Sequence, residues 1–310
     1  MRVFVSGAAG FIGSHVCEIL LQDGAEVIGF DDFSSGNTRI DGITMITGDI
    51  RNFDDVISAM ADCTHIVHLA ALASVPASVD TPSLSEAINL QGTLNVIEAA
   101  KQIGVKRIVF SSTAAIYGDS TDSPVTELTT ANCQSPYAED KLAAEIAVLH
   151  SGIEAISLRY FNVHGPRQDP NGAYAAVIPA FIQKMMNHQP PTIFGNGEAT
   201  RDFVSVADVA ALNLAALTTD NSEALGEVFN VASGSTMSVL ELFNTLRTLL
   251  GEKDQSILTI EPTFAPPREG DVLHSSASIE KARKLLGFNP EANPHRALSA
   301  TVEAYWDRCD

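Results

Sequence analysis

The heptapeptide GAAGFIG, residues 7–13, follows the β-branched run RVFVS directly and opens an apolar-periodic stretch over 11–23. Strand, tight turn and closely packed helix is the arrangement that uses all three glycines. Gly7 permits the turn, Gly10 lets backbone approach a pyrophosphate, and Gly13 removes a side chain between helix and strand. The free N–H groups and partial positive charge of the helix start then face the phosphates. Downstream, short β-branched runs (EVIGF, ITMIT, HIVHLA, RIVFSS, EAISLRY) alternate with segments of helical period, among them helices near 82–103 and 136–150. Such alternation predicts an α/β fold, a Rossmann-like doubly wound parallel sheet with helices on both faces. Gly24 and Gly104 stand at helix ends, and Pro82 and Pro136 at first-turn positions that tolerate a missing N–H. After about residue 165 the pattern loosens into Pro-, Gly- and Asn-rich stretches such as NHQPPTIFGNGEATRDF. The expected division is a dinucleotide-binding domain over 1–165, with 203–232 folding back onto it, and a smaller, irregular α/β substrate domain over 166–310.

Composition narrows the partners. With 310 residues, 45% of them hydrophobic, the chain buries a sizeable core. Its apolar runs, such as HIVHLAALASV, break well short of the ~20 residues a membrane span needs. The N-terminus passes from Arg2 straight into the first strand with no signal-peptide pattern, so the expected compartment is the cytoplasm. The four cysteines (Cys17, Cys63, Cys133, Cys309) lack metal-ligand spacing and read as reduced thiols, so no metal site is expected. A formal charge of -19 argues against nucleic acid or an anionic membrane as partner. An anionic small molecule would need arginines gathered locally against that field.

Asp31 closes the second strand about 20 residues beyond the glycines, where an acid accepts hydrogen bonds from the ribose hydroxyls of NAD. Asp32 follows it, and two carboxylates would repel a 2′-phosphate; Arg39 is the one nearby basic residue. Asp49, in GDI at the end of the third strand, reads either as an adenine contact or as turn polarity. Phe11 and Ile12 at the helix start, Ile50, the segment Leu69, Ala70 and Ala71 behind the fourth strand, and Ser111 complete the expected cofactor contacts.

SPYAEDK, residues 135–141, sets Tyr137 and Lys141 at i and i+4 on one helical face. A phenol of pKa ~10 needs about 4 kcal/mol of preference for its anion to act as a base near pH 7. An ammonium ~4 Å away supplies roughly 1–4 kcal/mol, and the positive ring of a bound oxidised nicotinamide adds to the same field. The pair therefore reads as a proton acceptor with its electrostatic partner, serving hydride transfer. SSTAAIYG ends the fifth strand, and Thr113 or Ser112 could hydrogen-bond the reacting hydroxyl. The helices near 82–103 and 136–150 are apolar over more than one face (Leu90, Leu94, Ile97; Ile146, Val148, Leu149), which fits either a homodimer or burial within one subunit.

With GAAGFIGSH, HLAALASVPAS, SSTAAIYG, SPYAEDK, LRYFNVHGPRQDPNGAYAAVIPAF, GEATRDFV and PREGDVLHS in view, nearly the whole chain resembles the extended short-chain dehydrogenase/reductase family. Within it the nucleotide-sugar epimerase/dehydratase branch matches, and most closely the UDP-hexose 4-epimerases that interconvert UDP-N-acetylglucosamine and UDP-N-acetylgalactosamine. The resemblance implies NAD as cofactor and Thr113, Tyr137 and Lys141 as the catalytic set. It implies Asn162 near the sugar and phosphate, Ala176 and Val177 at the uracil, and Arg201, Arg268 and Asp271 on the diphosphate and ribose. Ala73 and Ser74 stand where many galactose-type epimerases carry a lysine, as they do in the N-acetyl-accepting subgroup. Ser275 stands where glucose-restricted epimerases carry a tyrosine, leaving room beside C2 for an acetamido group. Dehydratase relatives place Asp-Glu after the threonine and decarboxylating relatives a glutamate; here Ala114 and Ala115 offer no such acid. A UDP-uronate 4-epimerase needs the same core and remains an alternative. A non-catalytic NAD-binding regulator has no use for Tyr137 and Lys141.

Overall fold

Strand β1 (Arg2–Ser6) is buried at every position but its first and runs into helix α1 (Phe11–Gln22) through the glycine turn. The alternation continues through β2 (Glu26–Asp31), β3 (Thr44–Thr47), α2 (Phe53–Ala59), β4 (His65–His68), α3 (Val75–Asp80), α4 (Pro82–Glu86) and α5 (Gly92–Ile103). Next come β5 (Arg107–Thr113), α6 (Pro136–Leu149) and β6 (Glu154–Tyr160). Shorter elements follow: β7 (Asn162–His164), α7 (Val177–Met186), β8 (Thr192–Phe194), β9 (Thr200–Arg201), β10 (Phe203–Ser205) and α8 (Val206–Thr218). The last are β11 (Glu227–Val231), β12 (Met237–Ser238), α9 (Val239–Gly251), β13 (Thr263–Ala265), α10 (Glu280–Leu286) and α11 (Pro294–Trp306). The computed structural model describes residues 1–170, 176–267, 273–291 and 293–307.

Seven parallel strands form the main sheet in the order β11-β6-β5-β4-β1-β2-β3. The order reverses between β1 and β4, so a crevice opens at their C-terminal ends, where doubly wound sheets bind ligands. Helices α1 and α8 bury Val16, Leu20, Val209 and Leu212 on one face against Val5, Val67, Val109 and Leu158. Helices α2, α5 and α6 bury Val56, Val96, Ala144 and Val148 on the other against Phe4, Ile66, Ile108 and Phe110. A third cluster, with Ile178, Phe181, Leu242, Phe243, Leu246 and Val302, joins α7, α9 and α11 beyond the sheet. Strand β11 and helix α8, drawn from residues 203–232, pack with the sheet, not with that third cluster.

Helix starts and stops follow the sequence signals. Pro136 opens α6, and the Ser135 side chain accepts the Ala138 N–H at 3.2 Å. Gly104 ends α5 at φ 80, a conformation that costs glycine nothing. The stretch expected as one helix near 82–103 is instead α4, a π-helical turn (Ala87–Gln91) and α5. The extra residue turns Asn89 into the core. There its amide oxygen accepts the Leu72 N–H at 2.9 Å and its nitrogen reaches Ser85 Oγ at 3.2 Å. No helix among the described residues is long and apolar enough to cross a membrane.

Candidate active site

The glycine turn is closed by sterics. A Cβ on Gly7 (φ 72) would lie 2.7 Å from the Ala70 nitrogen, and one on Gly13 would lie 1.9 Å from the Gly7 oxygen. The segment Leu69–Ala70 thus sits directly against the turn, as the reversal of strand order between β1 and β4 requires. Gly10 caps α1 without any side chain, so the N–H groups of Phe11 and Ile12 at the helix start have no intrahelical partner. That backbone cradle fits a pyrophosphate. Asp31 is buried at the end of β2, its two oxygens each accepting a backbone N–H, from Ala9 and Phe33, at 2.8 Å. Burial pushes its carboxyl upward against those hydrogen bonds. Each oxygen keeps a lone pair for a ribose hydroxyl. Asp32, by contrast, is exposed and accepts from Ser34 N and Oγ.

Two further features shape this end. Asp49 lies beyond the end of β3 at Thr47, and its carboxylate is held by Arg51 at 2.5 and 2.8 Å, which lowers its pKa. The turn-polarity reading of Asp49 describes that contact. Residues 33–38 fold over the glycine turn: Thr38 N–H reaches Ala9 O at 3.2 Å, and a Cβ on Gly36 would lie 2.4 Å from the same oxygen. Arg39 stacks over the Phe33 ring at 5.0 Å. A cavity of about 1040 Å³ beside this loop is lined by Phe11, Phe33, Gly36, Arg167 and Trp306.

At the other end of the crevice, Thr113 closes β5 and caps a 3-10 turn (Ala114–Tyr117), its Oγ1 accepting the Ala115 N–H at 3.1 Å. Its hydroxyl lies close enough to the Tyr137 phenol to lower that phenol's pKa, while burial, the larger effect, raises it. The Tyr137 N–H donates to Ser78 Oγ at 3.1 Å, anchoring the start of α6 to α3. Lys141 is 2% exposed, with Nζ 4.2 Å from the Phe110 ring centroid. Burial lowers its pKa to about 7, opposed by the charge of Glu145. Ribose hydroxyls would give this enclosed ammonium acceptors. Nearby His68 stays neutral, its pKa lowered to about 3 by burial and by Lys141. Its ring bonds to Ser6 Oγ at 2.5 Å and Thr93 Oγ1 at 3.0 Å. Between the two hydroxyls weighed for the reacting group, the structure brings Thr113 to Tyr137. Ser112 is buried with no hydrogen-bond partner for its Oγ, and Ser111 lies close enough to the Tyr160 hydroxyl to lower its pKa.

Of the residues expected on the substrate side, Asn162 and Ser275 lie beside β9, which carries Arg201. Asn162 donates from N and Nδ2 to Asp202 O at 3.2 and 3.1 Å. Arg201 Nη1 donates to Thr200 O at 2.9 Å, and the Ser275 N–H donates to the same oxygen at 3.1 Å. Asp202 itself is buried under N–H and hydroxyl donors from Ser233 and Gly234; burial raises its pKa to about 6. Ala176 caps α7 without a side-chain bond and Val177 begins it. Ala73 is exposed, and Ser74 accepts the Ala77 N–H at 3.2 Å to cap α3. Arg268 and Asp271 lie outside the described residues. Sequence reasoning missed Asn89, His68 and the buried pair Glu145–Arg159; only the polar character of each within an apolar segment marked them.

A dinucleotide cradle at one end of a crevice and a tyrosine–threonine pair at the other define a nicotinamide-dependent enzyme of the short-chain dehydrogenase/reductase class. The chain belongs to the NAD dependent epimerase/dehydratase family, whose model matches residues 3–232, and NAD is its cofactor. It is 35% identical to the UDP-glucose 4-epimerase of Mycolicibacterium smegmatis over 98% of both chains. The UDP-glucose 4-epimerase of Thermotoga maritima, solved with UDP-glucose, superposes with a TM-score of 0.93 at 35% identity over 100% of both chains. A UDP-N-acetylglucosamine 4-epimerase from Methanobrevibacter ruminantium, in complex with UDP-N-acetylmuramic acid, gives 0.90 at 35% identity over 99% of this chain and 98% of that one.

Proposed function

We propose that the protein is a UDP-sugar 4-epimerase that interconverts UDP-N-acetylglucosamine and UDP-N-acetylgalactosamine. The observation that carries the epimerase reading is the Tyr137 phenol beside the Thr113 hydroxyl at the end of β5, with buried Lys141 one turn along the same helix. Tyr137 takes the proton of the sugar's C4 hydroxyl, and Thr113 orients that hydroxyl and the phenol together. Bound NAD supplies the hydride acceptor at C4 and the donor that returns the hydride. Lys141 holds the cofactor ribose and its charge favours the phenolate. Arg201, Arg268 and Asn162 hold the diphosphate, so the 4-keto hexose can turn about its phosphate linkage and present its other face. Tyr137 then returns the proton, and the reaction needs no net oxidant.

Ser275 supports the N-acetylated substrate. It sits beside Arg201 on β9 and keeps part of its surface open, where a larger side chain would occupy the space next to C2. Epimer formation from UDP-N-acetylglucosamine, UDP-glucose and UDP-glucuronate, each assayed alone, tests the reading. The acetamido sugar is expected to turn over at least as fast as glucose; activity confined to the uronate would reassign the substrate, and activity confined to glucose would remove the role given to Ser275.

The proposed assembly is a homodimer through α5 and α6, which leave the apolar side chains of Leu94 39% and Ile146 50% exposed. Sedimentation should give twice the chain mass for the wild type and a shift to single chains in Leu94→Glu/Ile146→Glu. A monomeric wild type rejects this interface.

A further inference from the structure

Beneath α6 the face of the sheet changes character toward the C-terminal ends of its strands. Parallel register sets Ile66, Ile108 and Ala155 in one apolar row, then His68, Phe110 and Ser157, then Ser112, Arg159 and Asn230. Paired residues face the same side, so the last two rows put polar groups under a helix that packs elsewhere through Ala144 and Val148. Glu145 descends into them. Its Oε1 accepts Arg159 Nη2 at 2.6 Å, and its Oε2 accepts Arg159 Nε at 3.1 Å and Ser157 Oγ at 2.9 Å. Arg159 Nη1 donates to the Tyr117 hydroxyl at 2.9 Å, and that hydroxyl donates to Asn230 Oδ1 at 2.6 Å. Asn230 Nδ2 reaches Val125 O and Ser278 O, both at 3.3 Å. All five side chains are buried.

We infer that Glu145 and Arg159 are positioning residues: a buried brace that sets the rotation and axial position of α6 relative to the turn carrying Thr113. Three observations converge. Tyr137, Lys141 and Glu145 recur every four residues and share one helical stripe, so fixing Glu145 fixes the direction in which the phenol points. Tyr117, the next link after Arg159 in the chain of bonds, closes the 3-10 turn that Thr113 caps. Asn230 carries the same chain to Ser278, three residues past Ser275. The proton donor, the proton acceptor and the segment lining the sugar are thereby tied through one directional network.

Stability alone gives little reason for such a pair. Two charges taken out of water lose several kcal/mol of hydration, and apolar residues of similar volume commonly serve a core as well or better. The rows of Ile66, Ile108 and Ala155 show that this interface already packs without polar groups. Apolar contacts tolerate small rotations, whereas a two-point guanidinium–carboxylate contact does not. Catalysis needs the phenol and the Thr113 hydroxyl on the same proton, and a displacement of ~1 Å can cost up to ~100-fold in rate.

The inference rests on the epimerase reading and is tested on the full chain loaded with NAD, with UDP-N-acetylglucosamine and UDP-glucose as probes. In Glu145→Met/Arg159→Met the brace becomes an apolar contact. The expected result is a folded, NAD-binding protein melting close to the wild type, with unchanged KM and kcat lowered about tenfold. Arg159→Lys, which keeps the charge but not the two-point contact, should lie between. A folded double variant with wild-type kcat overturns the brace. Should that variant fail to fold, Tyr117→Phe keeps the ring under the guanidinium and removes only the linking hydroxyl: a lowered kcat at constant KM supports the brace, and an unchanged one overturns it. A wild type that loads NAD but epimerises neither sugar overturns both readings, which distinguishes that failure from equal rates in wild type and variants.

Discussion

Tyr137→Phe is expected to bind NAD and UDP-sugar as the wild type does and to lose turnover by about 10²–10⁴-fold, the range of a positioned proton-transfer group. The substitution removes one oxygen and keeps the ring, so the start of α6, held by the Ser78 contact to the Tyr137 backbone and by the Ser135 cap, is undisturbed. What disappears is the phenol oxygen beside the Thr113 hydroxyl. In the protein without cofactor this phenol is a weak base, because burial raises its pKa and the adjacent ammonium of Lys141 is itself pushed down to about 7 by burial. Ribose hydroxyls accepting from Lys141 would favour its charged form, and a positive nicotinamide ring would favour the phenolate, so base strength would arise with cofactor loading. Calorimetry for both ligands and an epimerisation assay decide the matter: normal binding with near-normal turnover would remove Tyr137 from the chemistry.

Much of this site is legible in the sequence because its constraints are local. The glycine turn is set by backbone sterics within seven residues, and Asp31 by the length of one strand–helix–strand unit. Tyr137 and Lys141 declare themselves by a spacing of four in a helix whose Ser-Pro start is equally local. What depends on register between distant strands is not legible. Arg159 in EAISLRY reads as an ordinary strand residue, and Glu145 in KLAAEIA as a solvent-facing charge. Only the pairing of β6 with β5 and β11 shows that one row of side chains faces α6. The π turn at 87–91 is hidden for a related reason. Its extra residue is favoured by the contact of Asn89 with Leu72, 17 positions away, while local periodicity reads straight through it. Asp49 belongs with the local features: its bond to Arg51, two residues on, follows from turn polarity alone.

Ser275→Tyr is expected to separate the two hexose pairs. The Ser275 backbone is fixed by its N–H to Thr200 O, beside the strand that carries Arg201, so a larger side chain there projects from a defined position. Crowding a fitted group typically costs about 1–3 kcal/mol, or ~10–200-fold in kcat/KM. That loss should fall on UDP-N-acetylglucosamine, whose acetamido group occupies the space beside C2. UDP-glucose, with a hydroxyl at that carbon, should keep kcat/KM near the wild-type value, and for UDP-N-acetylglucosamine kcat should fall less than affinity because Thr113 and Tyr137 are untouched. The reverse substitution cannot be made in this chain, so the control is size: Ser275→Ala should accept both sugars. A parallel loss of both substrates in the tyrosine variant would point to disturbance of Arg201 in place of a steric filter, and full retention of both would mean that the acetamido group lies elsewhere.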